Sequence, residues 1–176
     1  MSHRQNVEEN LQRFAEGIGL GELKLNEHGA CGLCFDDTLI VNMEYLEEDE
    51  ALVFVSAVKP VEAHAQCEEK RDLLEKLLFL NLQHHSMQGA YMALNHDKTE
   101  TLLIRSMPAS IDYGSFESNL EKFVNTLEWV VQEANNTQGD GAAPQGPGGG
   151  ASGAGGGNQP NTPPPGQPGG DMGIMV

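Results

Sequence analysis

The chain has 176 residues and a formal net charge of −16 at pH 7, so it is long enough for one ordinary core and carries a strongly acidic surface. Nucleic acid requires a cationic binding surface, and we therefore expect no nucleic-acid partner. Three cysteines, an odd number, do not form a disulfide framework, and no apolar run approaches the ~20 residues of a membrane span, so we expect a cytoplasmic protein without membrane insertion.

Composition divides the chain into two parts. All ten Lys and Arg residues, and all but two of the acidic residues, lie within residues 1–136. From 137 to 171 the sequence is mostly Gly, Pro, Ala, Asn and Gln without periodic hydrophobes, a composition that cannot offset its own ordering entropy. We predict a folded domain over 1–136 and a disordered tail over 137–176. The tail ends in a short apolar stretch that comprises Met172, Ile174, Met175 and Val176.

An amphipathic helix of about four turns is predicted at the start of the folded part. Ser2 and Gln5 are spaced as a capping box, and glycines at positions 17, 19 and 21 end the helix. The helical spacing is carried by Val7, Leu11, Phe14, Ala15 and Ile18.

Three strands are predicted next, over about residues 30–35, 38–46 and 51–58, and their short connections predict an antiparallel meander. The second and third strands are apolar on both faces. One face should cover helices, and the other needs a second cover, for which a subunit, a client and another part of this chain are the candidates.

The remaining elements are a leucine-rich helix over about 62–82, two strands over about 90–95 and 101–106, and a last helix over about 113–134. The leucines of the second helix cover an arc wider than one sheet contact requires, so this helix should be buried on two sides. Trp129 points away from the apolar stripe of the last helix, so we expect it to be exposed or packed against something other than the core. The order is α-βββ-α-ββ-α, an α+β domain with an antiparallel sheet.

Catalytic and metal-binding patterns are weak. Cys31 and Cys34 form a CxxC, but residues three apart in a strand face opposite sides, so the sulfurs should diverge. Cys67 is about five helical turns from the pair His84 and His85, too far to complete a metal site. We expect no enzymatic activity, no metal site and no cofactor.

The sequence resembles the class I type III secretion chaperones of the Tir chaperone (CesT) family over about residues 4–134. The resemblance is carried by the order of four segments and not by a short diagnostic motif. These are C-G-L-C-F-D-D-T-L-I-V from 31, L-L-E-K-L-L-F-L-N from 73 with G-A-Y-M-A-L from 89, I-R-S-M-P-A-S-I-D from 104, and F-V-N-T-L-E-W-V-V from 123.

The resemblance implies a bacterial cytoplasmic homodimer that binds the N-terminal segment of a secreted effector in an extended form and keeps it soluble and competent for secretion. A regulatory module on the same fold, which sequesters a secretion or transcription regulator, is the alternative. The candidate dimer residues are Leu73, Leu77, Leu80 and Met92. The candidate client-binding residues are Leu33, Phe35, Ile40, Met43, Val53, Val55 and Trp129.

The tail has no counterpart in that family pattern. Its apolar end, residues 172–176, is predicted either to dock into an apolar groove of its own dimer until a client displaces it, or to dock onto the secretion machinery. The alternative is an end that binds nothing.

Overall fold

The computed structural model describes residues 2–36, 38–61 and 67–136. The order of elements confirms the predicted α+β class, with one short helix, α3, where a turn was predicted. The predicted start of the second helix at 62–66 and the predicted tail lie outside the described residues. The elements are α1 (His3–Gly17), β1 (Ala30–Phe35), β2 (Leu39–Leu46), β3 (Ala51–Pro60), α2 (Cys67–Leu80), α3 (His84–Met87), β4 (Tyr91–Leu94), β5 (Glu100–Pro108) and α4 (Tyr113–Asn135).

Local side-chain hydrogen bonds fix the starts of two helices. At α1 the Ser2 hydroxyl accepts the Gln5 N–H at 3.2 Å, and the Gln5 side chain accepts the Ser2 N–H at 3.0 Å, which confirms the capping box. At α4 the Asp112 carboxylate accepts the Ser115 N–H at 3.0 Å. Past the end of α1, Gly19 has φ = +74°, a conformation that glycine adopts without steric cost.

The five strands form one antiparallel sheet in the order β1-β2-β3-β5-β4. The predicted meander of the first three strands is confirmed. The sequence did not predict that β5 would lie between β3 and β4. The nine-residue β5 pairs along nearly all of β3, so the four-residue β4 becomes an edge strand.

The helices cover one face of the sheet. Phe54 of β3 meets Phe116 and Phe123 of α4 edge to face, with ring centroids 6.0 and 5.6 Å apart. The register places Met43 and Arg105 directly opposite Phe54 on the neighbouring strands, so both belong to this helix-covered face. The Arg105 guanidinium donates to the backbone carbonyl of Gln88 and to the side chain of Asn119, which joins β5, the end of α3 and α4.

Two lysines hold the end of α4 against its neighbours. Lys59 of β3 donates to the Ala134 carbonyl at 2.8 Å, and Lys76 of α2 donates to the Asn136 carbonyl at 2.9 Å. These bonds satisfy carbonyls that the end of a helix leaves without partners. Lys76 also lies 3.7 Å from the Glu133 carboxylate, so α2 packs beside the last turns of α4.

Trp129 was predicted to be exposed or to pack against something other than the core, and this is wrong, because it is only 8% exposed and belongs to the core. Glu133 and Asn136 follow Trp129 by four and seven residues and therefore lie on its side of the helix, the side that α2 covers. The indole N–H is buried without an acceptor among the described residues. Helical periodicity gave the direction of Trp129 but not the helix that covers it.

Candidate protein-binding surfaces

The cysteine pair of β1 has the geometry of two separate thiols. Cys31 is half-buried on the helix-covered face, Cys34 is exposed, and both are free. Burial raises the pKa of the Cys31 thiol to about 11, so at neutral pH it carries a proton and is a poor nucleophile. Within residues 2–36, 38–61 and 67–136, no three His, Cys, Asp or Glu side chains gather closely enough to hold a metal ion.

The predicted client-binding residues do not share one surface. Strand register places Leu33, Phe35 and Met43 on the helix-covered face, where Leu33 and Met43 are buried. Their neighbours along the strands alternate to the other face, as the period of a β-strand requires. That other face, which we call the open face, carries the remaining strand residues of the set, Ile40, Val53 and Val55, while Trp129 lies in the core.

The open face carries an apolar band across the sheet. Val55, Ile104 and Tyr91 stand directly opposite one another on β3, β5 and β4. Ile40 on β2 is 58% exposed, and Tyr91 is exposed as well. Asn42 and Glu44 interrupt the band on β2, so the face is apolar toward the β4 side and mixed toward β1. Such a face suits contact with another polypeptide.

The outer edge of β1 is open for strand pairing. Gly29 accepts the Tyr45 N–H at 2.8 Å, and because pairing alternates along an antiparallel ladder, residues 31, 33 and 35 bond to β2. Gly32 and Cys34 therefore direct their N–H and C=O groups outward, where no described residue bonds them. No Lys, Pro or bulge protects this edge. Four backbone groups are thus available to an added strand.

The opposite edge of the sheet is closed at Met92. Met92 of β4 directs its backbone outward, where its N–H donates to the Asn81 side-chain oxygen at 2.7 Å and its C=O accepts from the Asn81 amide at 3.3 Å. One amide side chain therefore takes the place of a paired strand at this position. On β1 two residues, Gly32 and Cys34, have outward backbone groups without described partners, whereas on β4 Leu94 alone does, so β1 offers the longer free edge.

We predict that Asn81→Ala destabilises the domain by about 1 to 3 kcal/mol, because it removes two hydrogen bonds and leaves the Met92 backbone groups without protein partners. Urea unfolding at a fixed protein concentration measures this loss. Asn125→Ala is the matched control, since Asn125 is exposed on α4 and bonds no described residue through its side chain. Equal midpoints for the two variants would contradict the role given to Asn81.

A second exposed apolar surface lies at the end of α2. Leu78 is 63% exposed, Phe79 is 53% exposed, and Leu82, just past the helix, is 70% exposed. The contact of Asn81 with Met92 brings this end of α2 against the outer edge of β4, where Leu94, on the same face of the strand as Met92, is also exposed. We call Leu78, Phe79, Leu82 and Leu94 the α2–β4 patch.

The residues predicted for a dimer interface lie behind this patch. Leu77, Leu80 and Met92 are buried in the core of a single chain, and Leu73 is half-buried against it. The predicted wide apolar arc of α2 is present. The half that the sequence analysis assigned to a dimer interface is buried in the chain's own core, and the other half is exposed. Spacing alone gave two stripes on α2 without indicating which one faces the chain's own core.

The sequence profile of the Tir chaperone protein (CesT) family matches residues 9–130, which is more than half of the chain. The chain belongs to this family. The resemblance found in the sequence to class I type III secretion chaperones is thereby confirmed, and members of the family are binding proteins that catalyse no reaction. A search of curated proteins found no significant match.

Solved structures share the fold at low sequence identity. A chain of the crystal structure of the ExsC–ExsE complex has 22% identity and a TM-score of 0.64, over 78% of this chain and 100% of that one. A chain of the HopA1–SchA chaperone–effector complex has 16% identity and a TM-score of 0.56, over 73% of this chain and 96% of that one. A chain of the heterodimeric ExoU–SpcU complex from the type III secretion system of Pseudomonas aeruginosa has 15% identity and a TM-score of 0.53, over 72% of this chain and 99% of that one. None of the described helices is long and apolar enough to cross a bilayer.

Proposed function

We propose that this CesT-family chaperone binds the N-terminal segment of a type III secreted effector in the bacterial cytoplasm and keeps it soluble and competent for secretion. Family membership supports the general role, and the HopA1–SchA structure, which has the same fold, is a chaperone–effector complex. The observation that carries the proposal is the open edge of β1, where Gly32 and Cys34 offer backbone groups to an extended peptide.

Strand addition at this edge also accounts for how side chains of a client are recognised. Backbone hydrogen bonds provide sequence-independent affinity, and alternate side chains of the added strand reach the two faces of the sheet. On the open face the first apolar neighbour is the exposed Ile40, which stands opposite Cys34. A client segment with apolar residues two apart is therefore preferred.

Cys34→Pro tests the edge with a small change. Proline removes the outward N–H of residue 34, and it is tolerated on an edge strand where that N–H bonds nothing in the protein. Loss of a hydrogen bond of ~1 kcal/mol and the clash of the ring with an added strand should weaken client binding at least about tenfold. Cys34→Ser keeps the N–H and is the matched control.

The experiment begins with capture from a lysate of the native host on immobilised protein, followed by mass spectrometry. The N-terminal fragment and the remainder of the captured protein are then titrated against wild type, Cys34→Ser and Cys34→Pro by calorimetry, with far-UV circular dichroism as the folding check. Ile40→Asp is a second variant that spares the backbone. Equal client affinity of the Ser and Pro variants would refute the proposed site. Binding by the remainder of the captured protein alone would refute the role of its N-terminal segment.

We further propose that the α2–β4 patch forms a homodimer interface. The four exposed apolar side chains of the patch lie at the end of α2 and on the neighbouring edge strand, and a two-fold dimer buries an exposed apolar patch of this kind. The edge of β1 is at the other end of the strand order, so dimerisation leaves it free for a client.

The identity of the protein captured from the lysate also decides whether the client is an exported effector or a regulator.

A further inference from the structure

We propose that the apolar C-terminal end of this chain, residues 172–176, docks on the open edge of β1 as an intramolecular substitute for a client strand. This inference rests on the proposed function for its biological meaning, because it assigns a regulator to the same edge. Its physical basis is independent of any client, and it comprises the pattern of the C-terminal residues, the position where α4 ends, and the length of the connecting segment.

The C-terminal residues have the pattern of a strand. Met172, Ile174 and Val176 are spaced two apart, so in an extended conformation they share one side, and Met175 lies on the other. No Lys or Arg occurs beyond residue 136, and Asp171 is the acidic side chain nearest to the end. Residues 172–176 carry no charged side chain, so they meet less repulsion from an acidic domain than a segment with acidic side chains would.

The last described turn of α4 lies at the correct end of the sheet. The bond from Lys59 to the Ala134 carbonyl ties the end of α4 to the end of β3. Ser56, three residues before Lys59, donates to the Ile40 carbonyl at 2.6 Å, and Ile40 pairs with Cys34. β1 is two strands from β3, about 10 Å across the sheet at the usual strand spacing.

The connecting segment is long enough to reach the edge. A flexible Gly-rich chain of ~35 residues, the length of the segment 137–171, has a root-mean-square end-to-end distance of about 30 to 35 Å, more than this span requires. Tethering at that length gives an effective concentration in the millimolar range. A tail that docks with a millimolar dissociation constant then occupies the edge for about half of the time or more. It weakens client binding by about 2- to 10-fold.

The α2–β4 patch fits this occupant less well. Asn81 already closes the β4 edge at Met92, so backbone pairing there is blocked, and a segment with apolar residues two apart gains most from an edge with free N–H and C=O groups. Edge pairing also has a direct signature, because it slows the exchange of the outward amide hydrogens of Gly32 and Cys34.

Hydrogen exchange of the full-length chain without a client tests the proposal. The double variant Ile174→Ser/Val176→Ser should speed exchange of the Gly32 and Cys34 amides by about 2- to 10-fold, in proportion to the lost occupancy. Met175→Ser is the matched control on the opposite side of the segment and should leave exchange unchanged. A synthetic peptide of residues 168–176, added at millimolar concentration to the double variant, should restore the protection.

Equal exchange in wild type and the double variant would overturn the tail proposal, whatever is found for clients. Protection that disappears on dilution would also overturn it, because the edge would then be occupied by the tail of a second copy. Tail-dependent protection in a protein whose Cys34→Pro variant still binds its client normally would support docking of the tail and would separate it from the proposed client site.

Discussion

Leu77→Asp should unfold the domain, whereas Leu78→Asp, one residue further along the same helix, should leave it folded. Leu77 is 2% exposed and Leu78 is 63% exposed. An aspartate at 77 would either be buried without a partner or force α2 to detach from the core. We expect the free energy of unfolding to fall by at least about 3 to 5 kcal/mol. That is a large part of the 5–15 kcal/mol by which domains are typically stable.

Urea unfolding followed by far-UV circular dichroism measures this difference, at one protein concentration for all proteins. The neighbouring pair controls for helix propensity, because both variants place the same residue in the same helix. If the two variants unfolded at similar urea concentrations, the face of α2 that packs against the core would be assigned wrongly.

Phe79→Asp should convert a dimer into a folded monomer. The exposed ring of Phe79 and the neighbouring Leu78 and Leu82 would be buried between two copies, and a two-fold axis counts each substitution twice. Burial of one large apolar side chain contributes about 1.5 to 3 kcal/mol, so the dissociation constant should rise at least about a hundredfold. Light scattering and sedimentation equilibrium at micromolar concentrations report the mass.

Ile40→Asp is the matched control for that experiment. Ile40 and Phe79 are exposed to a similar extent, but Ile40 lies on the open face, remote in strand order from the α2–β4 patch. The control should remain a dimer while it loses client affinity. A wild-type mass equal to one chain, or a Phe79→Asp protein that is still dimeric, would remove the proposed interface.

The elements themselves were predictable because their causes are local. The capping box of Ser2 and Gln5, the alternation in β2 and β3, and the change from helical to strand spacing near Gly89 are all written in adjacent residues. The order of such elements was also enough to identify the family, which the profile match confirmed.

The assignment of residues to surfaces was much less predictable. The six strand residues proposed for client binding fall on two faces, Trp129 is buried, and three of the four residues proposed for the dimer lie in the core. Each of these decisions depends on a second element that is distant in sequence, namely the helix or strand that covers a given face. Hydrophobic spacing shows that a side chain will be covered but not by which element.

The sequence by itself determined the acidic charge and the α+β class with its elements in order, because charge, periodicity and capping are properties of short segments. Only the tertiary structure decided how much of each sheet edge is open. Asn81 occupies the outward backbone groups of Met92 on β4, while β1 leaves those of Gly32 and Cys34 without described partners. Those contacts join residues that the chain order separates, and the insertion of β5 beside β3 determines which strands become edges at all.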